Sequence, residues 1–228
     1  PPALRSRAWL PIRSPMFWAA TIGHSKRIIH DLRNGRRIRV SRFVSAALRR
    51  SYDGREGRGE GMQLQDNYNR FAAVAYAHEW AYRRNPAFYD YEKLGGDCTN
   101  FTSQCLLAGS GIMNFMPTYG WYYINANRKS PSWTGVQYLF NFLTRQNLSV
   151  GPVGAECRIE ELLPGDLIQL SFDGLGYSHT PIVVSVQPPV QPENVLLAAH
   201  SYDADYRPLS TYEYEKVRFI HIVGVVRP

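Results

Sequence analysis

Cys98 stands in the run Gly95-Gly96-Asp97-Cys98-Thr99-Asn100-Phe101, two glycines followed by a capping residue type and a helix-forming stretch. The glycines let the backbone turn tightly and Asp97 is a good N-cap. Cys98 is then expected in the first turn of a helix, where unpaired N–H groups and the helix dipole favour a thiolate. Those same N–H groups can donate to a developing oxyanion. A capped structural helix with a half-buried thiol fits the spacing equally well. Cys105, seven residues on, falls two turns along the same face and reads as core. At 1.5 Å per residue it is about 10 Å from Cys98, beyond disulfide reach. Cys157 reads as a packing residue.

A thiol nucleophile needs a base. Of the six histidines, His24 and His30 lie in a basic N-terminal stretch, while His78 in a helix and His221 mid-strand read as structural. His179 and His200 remain, on strands expected to be neighbours. One imidazole could take the thiol proton and the other orient it, the work a carboxylate or amide does in other triads. A Cys/His/His zinc site is the rival, but it lacks a fourth ligand, and no CxxC pair is present.

The elements that must position these groups are legible in outline. Asp66 or Asn67 is expected to cap a helix running to about residue 84, with Phe71, Val74, Ala75, Ala77 and Trp80 on one stripe and Asn85-Pro86 ending it. A second helix is expected over residues 98–108, stopped by Gly109 and Gly111. A third spans about residues 132–146, capped by Ser132, with Val136, Leu139, Phe140 and Leu143 inward. Strands are expected at 166–171, 178–186, 195–202 and 218–226, separated by Pro and Gly turns. Helices first and strands after argue an α+β domain with an antiparallel sheet.

Charge divides the chain. Residues 1–61 hold 14 Lys/Arg against 4 Asp/Glu, a balance of +10; residues 62–228 hold 12 against 15, a balance of −3; together they give the formal +7. Nucleic-acid binding, the usual reading of a pI near 9.4, therefore applies only to the first stretch and not to the globular part. Residues 1–61 are rich in Arg, Pro, Gly and Ser, and residues 54–61 form a low-complexity linker. Short helices are expected at residues 17–32 and 41–50. Three readings of this segment stay open: a disordered basic tail, an Arg-rich targeting segment, or translated sequence upstream of a start at Met62. No signal peptide is visible and no run approaches the roughly 18 apolar residues of a membrane span. Localisation and oligomeric state stay unassigned.

With these residues in place, Asp97-Cys98-Thr99-Asn100-Phe101, then Ser103-Gln104 and Ala108-Gly109, resemble the signature of the putative amidase domain family, a bacterial branch of the papain-like cysteine peptidases related to the NlpC-type and CHAP cell-wall hydrolases. Tyr68-Asn69-Arg70 with Ala75-Tyr76-Ala77, Ser132-Trp133-Thr134, Pro164-Gly165-Asp166-Leu167, and Ser178-His179 before Ile182-Val183-Val184 agree in order over about residues 66–226. Two departures stand out: Thr180-Pro181 after the histidine, where proline suits an edge or bulge, and Thr102 in place of a valine. The resemblance implies a papain-like or NlpC-type fold, N-terminal helices packed on a small antiparallel β-sheet. It implies Cys98 as nucleophile, His179 as base, and His200 as the third polar residue, with Asp203 as the alternative orienter. Asp97 and Thr99 are expected to support the oxyanion end.

The implied reaction is amide hydrolysis, in or near bacterial cell-wall peptide, with a peptide or peptidoglycan-derived substrate and no metal or organic cofactor. Tyr119, Trp121, Tyr122, Tyr123 and Trp133 are candidates to line a substrate groove. The rival reading is a module of the same fold that binds peptide or cell wall without cleaving it.

Overall fold

The computed structural model describes residues 62–147 and 149–228, together with two short strands, β1 (Ile28–Asp31) and β2 (Arg36–Arg39). It divides the chain into Pro1–Ser41 and Arg42–Pro228. In the first unit β1 and β2 pair antiparallel, Ile28 opposite Arg39 and Asp31 opposite Arg36. The helix expected at 17–32 is therefore a strand over 28–31, where Ile28 and Ile29 are β-branched. The rest of that helix, and the one expected at 41–50, lie outside the described residues.

Among the described residues of the second unit, four α-helices precede or interrupt the strands: α1 (Arg70–Trp80), α2 (Cys98–Ser110), α3 (Pro131–Thr134) and α4 (Val136–Leu143). A small hairpin, β4 (Tyr123–Asn125) with β5 (Arg128–Lys129), separates α2 from α3. Seven strands make the main sheet: β3 (Gln63–Gln65), β6 (Gly151–Cys157), β7 (Leu167–Ser171), β8 (Ile182–Val186), β9 (Val195–Ala199), β10 (Ala204–Pro208) and β11 (Lys216–Arg227). Their order is β10-β9-β8-β7-β11-β3, with β6 on β11, and every described pairing is antiparallel. The class is α+β, as expected. The sheet is larger than expected because β3, β6 and β10 carry no apolar alternation that marks them as strands.

Strands β7–β9 bury both faces, which explains their continuous apolar runs. On one face Leu167, Ile182, Val184 and Ala198 pack with Phe101, Cys105 and Leu106 of α2 and with Trp121, Trp133 and Leu139. On the other, the alternate residues Ile168, Leu170, Val183 and Leu197 pack with Leu162, Leu209 and Tyr212.

Element ends depart from the sequence reading in informative ways. Asn69, not Asp66 or Asn67, caps α1, its Oδ1 accepting the Ala72 N–H at 3.0 Å. The buried stripe of α1 is Ala73, Ala77 and Ala81, while Phe71 is exposed. Small side chains at four-residue spacing let α1 lie close on α2, and a large apolar stripe would hold it off. Gly109 lies inside α2, where an added Cβ would stand 2.3 Å from the Tyr68 ring; Gly111, left-handed, closes the helix. The third helix breaks at Gly135, whose backbone is extended. Ser130 rather than Ser132 precedes its first part, and Pro131 starts it. The strand expected from 178 begins at Ile182, because Pro181 offers no N–H; before it His179 makes only an isolated bridge to Leu170. Among the described residues no helix is long and apolar enough to cross a membrane.

Candidate active site

Gly95 and Gly96 enter α2 at φ 105° and 106°, backbone that L side chains rarely adopt. Asp97 takes the cap position, and its carbonyl accepts the Phe101 N–H at 2.9 Å. Its carboxylate does not cap the helix as expected. Instead Oδ1 accepts the Tyr91 N–H (2.9 Å) and the Asn100 amide (2.8 Å), and Oδ2 lies 2.6 Å from His200 Nδ1. Donors from the Tyr91 loop, Asn100 and β9's end thus take the carboxylate away from the helix's own N–H groups. The Asp97 N–H donates to Ser201 Oγ, which donates to Glu92 Oε2, both at 2.8 Å. The turn before Cys98 is thus fastened from three sides.

Cys98 opens α2 and is 7% exposed. Its Sγ lies 3.8 Å from Thr99 Oγ1 and 3.9 Å from the Ser178 carbonyl. Burial pushes the thiol above its ordinary range, and the Thr180 and Thr99 hydrogen bonds that favour a thiolate do not overcome it. The thiolate-favouring environment expected from a helix terminus is outweighed by desolvation. His179 is 6% exposed, its ring between Phe172 (centroids 6.0 Å) and Tyr212 (5.9 Å). Burial, then the nearby Arg207 charge, lowers its imidazole to about 4. Cys98 and His179 line one cavity of about 430 Å³, with Ser178, Phe172, Arg207 and Tyr212 also in its wall.

Two hydroxyl bonds tie α2 to the chain beside His179, and a third fastens that chain to β7. Thr102 Oγ1 donates to the Thr180 carbonyl at 2.6 Å, and Thr99 Oγ1 meets Thr180 Oγ1 at 3.4 Å. Gln169 Nε2 donates to that same Thr180 hydroxyl at 3.2 Å. Thr102, an incidental departure in sequence, supplies the shortest of the three.

The strand expected over 195–202 ends at Ala199, so His200 stands just beyond β9, and its ring faces elsewhere. Its ring stacks on Phe101 (4.0 Å), Nδ1 meets Asp97, and Nε2 lies 2.9 Å from the Trp80 carbonyl. Both nitrogens face acceptor oxygens, so neither is left to hold His179. Asp203, the alternative, makes a two-pronged pair with Arg84 at 2.8 and 3.0 Å. Strand adjacency brought both residues near; the side of the turn on which each ring or carboxylate leaves took them to α1 and the Cys98 turn instead. Neither orients His179 in this arrangement.

The aromatic groove is also corrected. Trp121 and Trp133 are fully buried, their indole N–H groups donating to Ser103 Oγ (3.0 Å) and Asn100 Oδ1 (2.8 Å). They brace α2 from behind, and none of the five aromatics lines the cavity. The aromatics that do are Phe172, Tyr202 and Tyr212. The sequence carries no periodic signal for them, since they come from turns. Among the described residues no group of three or more His, Cys, Asp and Glu is arranged to hold a metal ion.

A protein of Bacillus subtilis (strain 168) named "Uncharacterized protein YhbB" is 36% identical over 155 residues, covering 67% of this chain and 46% of that protein. The chain thus spans about half the length of the relative it matches. No solved structure matches it. The family model described as "Putative amidase domain" matches residues 67–223, which include the Cys98 turn, the His179 bridge and the strands between. By that match the chain belongs to the Putative amidase domain family.

Proposed function

We propose that the chain is a papain-like cysteine amidohydrolase, with Cys98 as nucleophile and His179 as base. The carrying observation is that the residue opening α2 and the histidine eighty-one positions later line the same cavity. Family membership supports hydrolysis of an amide.

The Cys98 sulfur attacks the carbonyl carbon while the imidazole of His179 takes the thiol proton. N–H groups of the first turn of α2, which have no intrahelical partner, receive the oxyanion. The C–N bond breaks as His179 returns the proton to the leaving amine. Water, deprotonated by the same imidazole, then opens the thioester, releasing a carboxylic acid and restoring the thiol. Asp97 and His200 act as positioning residues: their bond fixes the turn from which Cys98 projects. Thr99 spans from the sulfur to Thr180 and keeps helix and base in register.

Cell-wall peptide is the substrate class we favour, by the likeness to NlpC-type and CHAP hydrolases. Digestion of purified peptidoglycan, and separately of casein, by wild type, Cys98→Ala and His179→Ala tests the proposal. We expect release of free amines that both variants lose by at least about a thousandfold. Equal release by wild type and Cys98→Ala removes the mechanism.

One observation favours the binding-module reading: among the described residues no hydrogen bond joins Cys98 to His179. Fast, selective alkylation of Cys98 over Cys105 and Cys157 at neutral pH favours catalysis, and uniform slow alkylation favours the module.

A further inference from the structure

Arg207 reaches the cavity by an irregularity in the sheet. β10 pairs with β9 through Ala204 opposite Ala199 and then Arg207 opposite Leu197, one residue more on β10 than on its partner. The extra residue is accommodated by Tyr206 at φ 56°. Such bulges re-aim the side chain that follows, and a non-glycine residue at positive φ is costly enough to persist only where the surroundings impose it.

The guanidinium is held by uncharged groups. Nε donates to Thr211 Oγ1 at 2.9 Å, Nη2 donates to the Thr211 carbonyl at 2.8 Å, and the carbon at its centre lies 3.9 Å from the centroid of the Tyr212 ring. Among the described residues no carboxylate pairs with it. Glu213, the other charged side chain in the cavity wall, is exposed and forms no ion pair with it. The contrast with Arg84, surrounded by Asp90, Glu92, Asp97 and Asp203, is plain. A second donor adjoins: the buried Tyr212 hydroxyl has no acceptor for its proton, since its neighbour Arg207 can only donate to it. An arginine frozen against neutral acceptors, with N–H groups left over, is organised in advance for a carboxylate.

We infer that Arg207, with the Tyr212 hydroxyl beside it, forms a subsite for a carboxylate carried by the substrate close to the amide bond cleaved at Cys98. The inference rests on the cysteine hydrolase reading and narrows its substrates to acidic peptides and amide-linked amino acids with a free carboxylate near the scissile bond. Neutral substrates of the same length lose the ion pair and leave the Tyr212 hydroxyl proton without an acceptor.

Alkylation of Cys98 in the full chain tests this without needing the natural substrate. Iodoacetate is compared with iodoacetamide, and N-iodoacetylglycine with its carboxamide, so that the carboxylate sits at two reaches from the reactive carbon. Rates at Cys98 are read by peptide mass spectrometry, and each acid-to-amide ratio is normalised to free cysteine. In wild type we expect at least one ratio to exceed that of free cysteine by roughly tenfold, the size of one charge-assisted bond. Arg207→Gln returns it to the free-cysteine value, and Arg207→Lys keeps part of it. Ratios at the free-cysteine value for both pairs in wild type overturn the subsite, as does a preference that Arg207→Gln leaves intact in a protein with native circular dichroism. If Arg207→Gln does not fold, the wild-type ratios and Arg207→Lys still decide. Fast reaction with both amides and no acid preference sinks the subsite alone. A Cys98 inert to all four reagents removes the nucleophile, and the subsite falls with it.

Discussion

Cys98 and His179 are both held toward their uncharged forms, the thiol pushed up by burial and the imidazole down to about 4. A neutral pair moves its proton during attack rather than before it. The imidazole shift is also a stability statement with a definite sign. In the unfolded chain His179 takes up a proton near pH 6.5; in the fold it does so only near 4. Between those values the unfolded state binds more protons, so stability is full above about 6.5 and falls as pH drops toward 4. We expect urea midpoints measured from pH 7.5 to 4 to fall more steeply for wild type than for His179→Asn, the difference reaching on the order of 3 kcal/mol. Parallel curves contradict the burial assigned to this ring. The nature of these residues was legible in the sequence; their protonation was not, because a helix terminus declares its dipole but not how deeply a neighbouring strand and loop will bury it. His200 shows the same limit: its place at a strand end was legible, while the direction of its ring depended on Phe101 and Asp97 arriving from α2.

At the level of elements, the site is a joint between α2 and the stretch 178–181, closed by hydroxyls rather than by apolar packing alone. Thr102 donates inside the protein to the Thr180 carbonyl, so Thr102→Val leaves that carbonyl without this donor at no change in volume. We expect a loss of about 1–3 kcal/mol in a denaturant titration, and slower Cys98 alkylation as the joint loosens. No change in either would mean the carbonyl has another donor. The start of α2 could be read directly because Gly-Gly-Asp is local chemistry. β6, running Gly-Pro-Val-Gly-Ala-Glu-Cys, could not, since its strand character comes from pairing with β11. β10 was hidden for a related reason: its bulge breaks the alternation that sequence reading relies on, and with it went Arg207.

For the whole molecule, charge separates the two ends of the chain. Residues 62–228 balance at −3 and residues 1–61 at +10. We expect residues 62–228 to pass through immobilised DNA at low salt, and the full chain to be retained and then released as salt rises. Retention of the 62–228 fragment would assign polyanion binding to the acidic part. The family match and both apolar layers fall within that acidic part. Its long strand β11 touches β7, β6 and β3, the last of these the first strand of the sheet to be made. Among the described residues β3 and β6 pair with β11 alone, while β7 also pairs with β8, so during synthesis two strands of the sheet wait for residues 216–227. Until those residues arrive β3 and β6 present open β-edges, so the sheet's assembly is left to its longest strand.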